Sequence, residues 1–156
     1  MKRTSTKYIV IHASATRPNQ KIDASDINVM HRKKGWKGIG YHLVITRDGL
    51  LQKGRDLDAV GAHVYGYNKV SVGVCMVGGL DYNGSPENNY TGAQFAQLAE
   101  TIKILLNLYP GAEVVGHRDL SPDIDGDGVI EPFEWLKACP CFDVRKWMKD
   151  ELQEIG

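Results

Sequence analysis

The chain has 156 residues, 42% hydrophobic and 24% charged, the length and balance of one globular domain with a buried core. Its 19 Lys and Arg residues are matched by 19 Asp and Glu, a formal net charge of +0 that argues against electrostatic capture by nucleic acid or by an anionic membrane surface. No apolar run approaches the length of a membrane span, and the run Tyr8–Ile11 behind the basic start Met1–Lys7 is cut by His12 before it can act as an export signal.

Along the chain, Lys7–Ala13 predicts a buried strand ending at His12. Ser25 or Asp26 caps a short helix running to about Lys34, with Ile27 and Met30 inward and Gly35 as its stop. Tyr41–Thr46, the turn Arg47-Asp48-Gly49 and Leu50–Lys53 read as a hairpin. Val72–Val77 is a central strand ended by Gly78-Gly79, and Asp81–Asn89 is a polar surface loop. The clearest helix starts at a Thr91 cap and runs to about Leu108, because Phe95, Leu98, Ala99, Ile102, Leu105 and Leu106 keep helical spacing and Pro110-Gly111 ends it. Glu113–Gly116 is a short strand that delivers His117, and a last helix from about Asp143 turns Val144, Trp147, Met148, Leu152 and Ile155 inward. This order implies an α/β fold, a single domain over residues 1–156 with a central mixed β-sheet flanked by helices. His12 and His117 then stand at strand ends, where a rigid sheet can aim both at one point.

Three cysteines are too few, and odd in number, for a disulfide framework. Cys75 lies in the apolar run Val72–Val77 and reads as a core thiol. Cys139 and Cys141 flank Pro140 near a histidine and several carboxylates, a context of metal chemistry. By spacing alone, His12, His117 and Cys139 form no compact metal signature.

Several blocks carry a family likeness. Tyr8-Ile9-Val10-Ile11-His12-Ala13-Ser14-Ala15-Thr16 resembles the first metal-ligand segment of the type 2 N-acetylmuramoyl-L-alanine amidases, which include phage endolysins and animal peptidoglycan recognition proteins. Gly35-Trp36 with Gly40-Tyr41-His42, and Val60-Gly61-Ala62-His63 with Gly66-Tyr67-Asn68, resemble the next two blocks. Ser71-Val72-Gly73-Val74-Cys75 with Val77-Gly78-Gly79, then Gly116-His117-Arg118-Asp119, then Lys137-Ala138-Cys139-Pro140, complete the pattern in family order.

The resemblance implies a zinc-dependent hydrolase that cuts the amide between N-acetylmuramic acid and L-alanine in bacterial peptidoglycan. It implies His12, His117 and Cys139 as zinc ligands, Tyr41 and Lys137 as the catalytic pair, and His63 with Asn68 as substrate-binding residues. Cys139 fits the family register better than Cys141. Two histidines and a cysteinate suit zinc, and a catalytic zinc site leaves its fourth tetrahedral position open. In an extended segment Lys137 projects to the same side as Cys139, two residues on. His42 is expected to turn away from Tyr41 by strand alternation and to serve structure, and His31, beside Arg32 and Lys33, to lie on a solvated helix face.

A second metal is expected from an insertion at about residues 121–136. Asp123, Asp125, Asp127 and Glu134 occupy positions one, three, five and twelve of a calcium loop, with Gly128 at six, the Val129 carbonyl at seven and Glu131 at nine. Pro122 disfavours an entering helix, so the loop stands alone rather than as half of an EF-hand pair. An ordered Ca2+ ion would brace the segment that carries Lys137 and Cys139.

The leading expectation is a monomeric phage or prophage endolysin, made in the cytoplasm without a signal peptide and acting on the wall in the host periplasm after membrane permeabilisation. Alternatives are a cytoplasmic muropeptide-recycling amidase, disfavoured because those relatives tend to use a carboxylate as third ligand, and a non-catalytic peptidoglycan-binding protein, disfavoured because binding-only relatives have usually lost the cysteine. A protein-binding regulator is a further class on which the sequence is silent.

Overall fold

The apolar run near the start becomes an interior strand, β1 (Tyr8–Ala13), in the computed structural model, which describes residues 1–122, 130 and 138–152. The other strands are β2 (Leu43–Ile45), β3 (Leu51–Lys53), β4 (Ser71–Met76) and β5 (Glu113–Gly116), in the order β3-β2-β4-β1-β5. β1 pairs in parallel with both β4 and β5, and β2 pairs in parallel with β4, while β3 returns antiparallel at the edge. The sheet is mixed, as expected. Strands covered on both faces need apolar residues throughout, which is why Tyr8–Ala13 and Ser71–Met76 read as continuous runs rather than alternating ones.

Helix α2 (Gly92–Leu108) covers one face. Its start is fixed by a reciprocal capping box between Thr91 and Gln94, and Leu98, Ile102 and Leu105 are buried against Ile9, Ile11, Val72, Val74 and Met76. Each such side chain contributes about 1.5–3 kcal/mol on burial, far more than the cap. Packing therefore fixes α2, and the cap sets where it begins. Gln94 is itself buried and donates through Nε2 to the carbonyls of Ile45 and Val77, satisfying main-chain acceptors just where two strands finish.

The opposite face is covered by α1 (Ala24–Lys33), whose Ile27 packs with Val44, Cys75 and Val77. Its N-cap is Asp23, in a capping box with Asp26, rather than Ser25 or Asp26. The reason is that Asp26 already serves as the N3 partner: its carboxylate accepts from the Asp23 amide while the Asp23 carboxylate accepts from the Asp26 amide. Met30 is not fully inward but 37% exposed, at the rim of the site described below. Cys75 is a fully buried core thiol.

After β5 the chain forms a short 3-10 turn, His117–Leu120, and the described chain resumes before α3 (Val144–Trp147), which continues as a wider turn over Met148–Leu152. Val144 joins the α2-side core, and Phe142 and Trp147 form edge-to-face and tilted contacts with Phe95 and Tyr90. The expected calcium ligands Asp123, Asp125, Asp127, Val129, Glu131 and Glu134, the expected catalytic Lys137, and Ile155 lie outside the described residues.

Candidate metal centre

Strand alternation decides where His12 points. Ile9 and Ile11 enter the core under α2, so Val10 and His12 project to the other face. Ile11 pairs with Gly116 across the β1–β5 ladder, which sets His117, the next residue, alongside His12. Their ring centroids are 4.7 Å apart. The turn holding His117 is fixed by the Asp119 carboxylate, which accepts the Gly116 amide at 2.8 Å.

Cys139 arrives from far along the chain and is fastened on several sides. The Ala13 amide donates to its Sγ at 2.9 Å, and its carbonyl accepts from the Arg118 amide at 2.9 Å. Next to it, the Pro140 carbonyl accepts from the Tyr90 hydroxyl at 2.7 Å. Among the described residues, His12, His117 and Cys139 bring one donor atom each within 4.8 Å of one another. A tetrahedral zinc ion spaces nitrogen and sulfur ligands about 3.3–3.6 Å apart. The donor set fits that ion with modest closure, and imidazole with thiolate favours it over hard cations. Cys141 takes no part: its Sγ faces the Gly79 carbonyl at 3.4 Å, and burial raises its pKa.

All five histidines of the chain meet in one set of ring contacts. His42 lies 5.6 Å from His63, His63 4.9 Å from His12, and Tyr41 bridges His12 and His31 at 5.0 and 5.4 Å. Two expectations are corrected here. His31 is not on a solvated face; it is buried, accepts the Gly40 amide through Nδ1 at 2.9 Å, and packs against Trp36 and Tyr41. His42 does not turn to the face opposite Tyr41. Tyr41 precedes β2, so strand alternation does not reach it, and both residues border the same histidine cluster.

The structural role expected of His42 does hold. Its Nδ1 accepts the Gly73 amide at 3.0 Å, which leaves Nε2–H to donate to the Ala59 carbonyl at 2.8 Å. Burial lowers the pKa of His42 and of His31 to about 4, and that of His63 well below the ordinary value, so all three are neutral near pH 7.

Tyr41 lies beside the donors with its phenol held far above its ordinary pKa, first by burial and then by the neighbouring thiols Cys75 and Cys139. It stays protonated and can donate a hydrogen bond. His63 sits beneath the donors, its Nδ1 2.8 Å from His12 Nε2. Asn68 accepts the amides of His63 and Val64 through Oδ1 at 2.9 Å each, so it shapes the loop that presents His63.

A cavity of about 230 Å³ opens over the centre, lined by His12, His117, Cys139 and Tyr41, with Trp36 and Lys34 at its side. On its other side His117 borders a second groove of about 740 Å³, walled by Tyr8, Tyr65, Tyr67 and Arg145. The sequence reading missed His31 and Lys34 as wall residues. The signal was present, since Ile27 and His31 on α1 and Lys34 at its C-cap follow helical spacing along one stripe.

Residues 2–134 match the N-acetylmuramoyl-L-alanine amidase family. The endolysin of Enterobacteria phage K11 is 42% identical over 148 residues, 95% of this chain and 89% of that protein. The endolysin of Klebsiella phage KP32 is 43% identical over 152 residues, 97% of this chain and 91% of that protein. Among solved structures, the endolysin amidase LysCS from Clostridium intestinale superposes with a TM-score of 0.74 at 25% identity, covering 96% of this chain and 84% of that one. No helix among the described residues is long and apolar enough to cross a membrane. With a family match over most of its length and two phage relatives above 40% identity, the chain belongs to the N-acetylmuramoyl-L-alanine amidase family.

Proposed function

We propose that this chain is a zinc-dependent endolysin that hydrolyses the amide between N-acetylmuramic acid and L-alanine in bacterial peptidoglycan. The observation that carries the reading is the convergence of the His12, His117 and Cys139 donors within 4.8 Å at the floor of an open cavity. Zinc held there supplies Lewis acidity and lowers the pKa of water to about 7.

In the reaction, water adds to the lactyl carbonyl of muramic acid, the carbon–nitrogen bond breaks, and the leaving α-amine of L-alanine takes up a proton. Tyr41, protonated and beside His12, is suited to orient the attacking water and hold a hydrogen bond to the oxygen that gains charge. Lys137 is assigned the complementary positive charge on sequence grounds, two residues before Cys139. The groove beyond His117, with Tyr8, Tyr65 and Tyr67 along it, is suited to extend the contact along a polymer.

Calcium at Asp123, Asp125, Asp127, Val129, Glu131 and Glu134 belongs to the same reading and rests on the sequence pattern. So do the monomeric state and action on the wall after membrane permeabilisation.

Digestion of purified peptidoglycan by metal-stripped and zinc-loaded protein, with mass spectrometry of the products, tests the proposal. New muramic acid ends paired with free L-alanine amino termini, formed only with zinc, are expected. Reducing sugar ends would show a glycosidase and sink it.

A further inference from the structure

His63 is a buried histidine that the proposed reaction does not use, and it is held with unusual care. Its amide donates to Asn68 Oδ1 at 2.9 Å. Its ring lies where two glycines leave room: a Cβ built on Gly73 would stand 2.7 Å from His63 Cγ and Nδ1, and one on Gly61 would stand 2.7 Å from Cδ2. Real side chains do not approach so closely, so the slot exists because both positions lack a side chain.

The hydrogen bonds around this ring have a direction that can be read from one end. The Tyr67 carbonyl can only accept, and Ser71 Oγ donates to it at 2.8 Å. That spends the only hydroxyl proton of Ser71, so at its 3.2 Å contact with His63 Nε2 the serine accepts and Nε2 carries the proton. A neutral imidazole protonated at Nε2 has its lone pair at Nδ1. His63 Nδ1 therefore accepts from His12 Nε2 at 2.8 Å, and His12 is the Nε2–H tautomer. The nitrogen of His12 that bears a lone pair is then Nδ1.

We propose that His63, backed by Ser71 and the Tyr67 carbonyl, is the positioning residue that fixes the tautomer and ring orientation of His12, so that His12 meets zinc through Nδ1. This rests on the metal reading above. Ligating histidines commonly donate their second ring N–H to a fixed acceptor, and loss of that acceptor weakens metal binding by about 10–100-fold. Here the acceptor is a neutral imidazole rather than a carboxylate, so it orients His12 without adding negative charge near the metal. This positioning role stands beside the substrate-binding role expected of His63 from the family likeness, since the residue also lines the cavity over the centre.

Long-range proton–nitrogen NMR of the histidine rings tests this on wild-type protein, with and without zinc. Protonation of both His12 and His63 at Nε2 in both states is expected; a proton on His12 Nδ1 would overturn the relay whatever the variants do. Chelator competition gives the second measurement. His63→Leu should lose about 10–100-fold in zinc affinity, and His63→Asn, whose Oδ1 can stand in for Nδ1, should recover most of it. Ser71→Ala, a milder change, should loosen the His63 tautomer in the same spectra. Zinc affinity of a folded His63→Leu protein within about twofold of wild type would overturn the proposal while leaving the metal centre intact. A wild-type protein that binds no zinc would instead overturn the metal centre, and the relay with it.

Discussion

The amide of Ala13 donates to Cys139 Sγ at 2.9 Å, so the residue just after one histidine donor anchors a sulfur 126 positions later in the chain. That contact holds the sulfur within 4.8 Å of the His12 and His117 donor atoms. Cys141, two residues on, sets its Sγ against the Gly79 carbonyl at 3.4 Å, outside the donor set, and burial raises its pKa. Cys139→Ala should therefore abolish stoichiometric zinc and cost more than about 100-fold in peptidoglycan hydrolysis, beyond the range for losing an outer partner. Cys141→Ala should keep both. Metal analysis with a turbidity assay on cell walls separates the two cysteines; equal loss in both variants would contradict the assignment.

The strand and helix plan was legible because local rules and packing agreed. The Thr91 cap and the apolar spacing of Leu98, Ile102 and Leu105 give α2 its observed limits, and the continuous apolar run before His12 gives β1. His31 was misplaced because its neighbours Arg32 and Lys33 are charged, although its spacing from Ile27 puts it on the buried stripe. The role of His63 was not legible at all. It depends on Gly61, Gly73 and Ser71, which come together only through the loop that Asn68 ties back.

Acid should unfold the metal-stripped protein in a defined window. Burial lowers the pKa of His31 and His42 to about 4, whereas the unfolded chain titrates near 6.5. Between those values the unfolded state binds protons that the folded state refuses, so stability falls as pH drops. Above the unfolded value these groups contribute no pH dependence, and below the folded value their loss levels off. Each histidine that fully refuses its proton costs about 1.36 kcal/mol per pH unit. Urea titrations between about pH 7 and pH 4 should show a slope near pH 5 to which this pair contributes close to two protons, and His63, whose pKa burial also lowers, adds to it. His42→Gln, which keeps a donor for the Ala59 carbonyl, should remove close to one of them.

The inserted acidic segment makes a separate prediction. If Asp123, Asp125 and Asp127 hold calcium, the ion orders the stretch leading to Lys137 and Cys139, and its removal should lower both thermal stability and rate while zinc stays bound. A selective calcium chelator, followed by calorimetry, zinc analysis and a rate measurement, provides the check. A triple variant with Asp123, Asp125 and Asp127 changed to Ala that keeps full stability and full rate would break the link between this segment and the metal centre.

Gly73 offers the sharpest test of the packing beneath the metal centre. It pairs with Val10 in the β1–β4 ladder, and an added methyl would stand 2.7 Å from His63 Cγ and Nδ1. Those are ring atoms of a clamped side chain, so His63 must move or the strand must shift. Overpacking of this kind costs about 1–3 kcal/mol, or about 2–12 °C in melting temperature for a chain of this size. Gly92, the first residue of α2, is the control, since a Cβ there meets nothing within 4 Å. Gly92→Ala should be neutral or slightly stabilising. Because displacement of His63 also frees the His12 ring, Gly73→Ala should lose zinc affinity along with stability. A variant that melts early yet binds zinc as tightly as wild type would show that the slot serves the core alone.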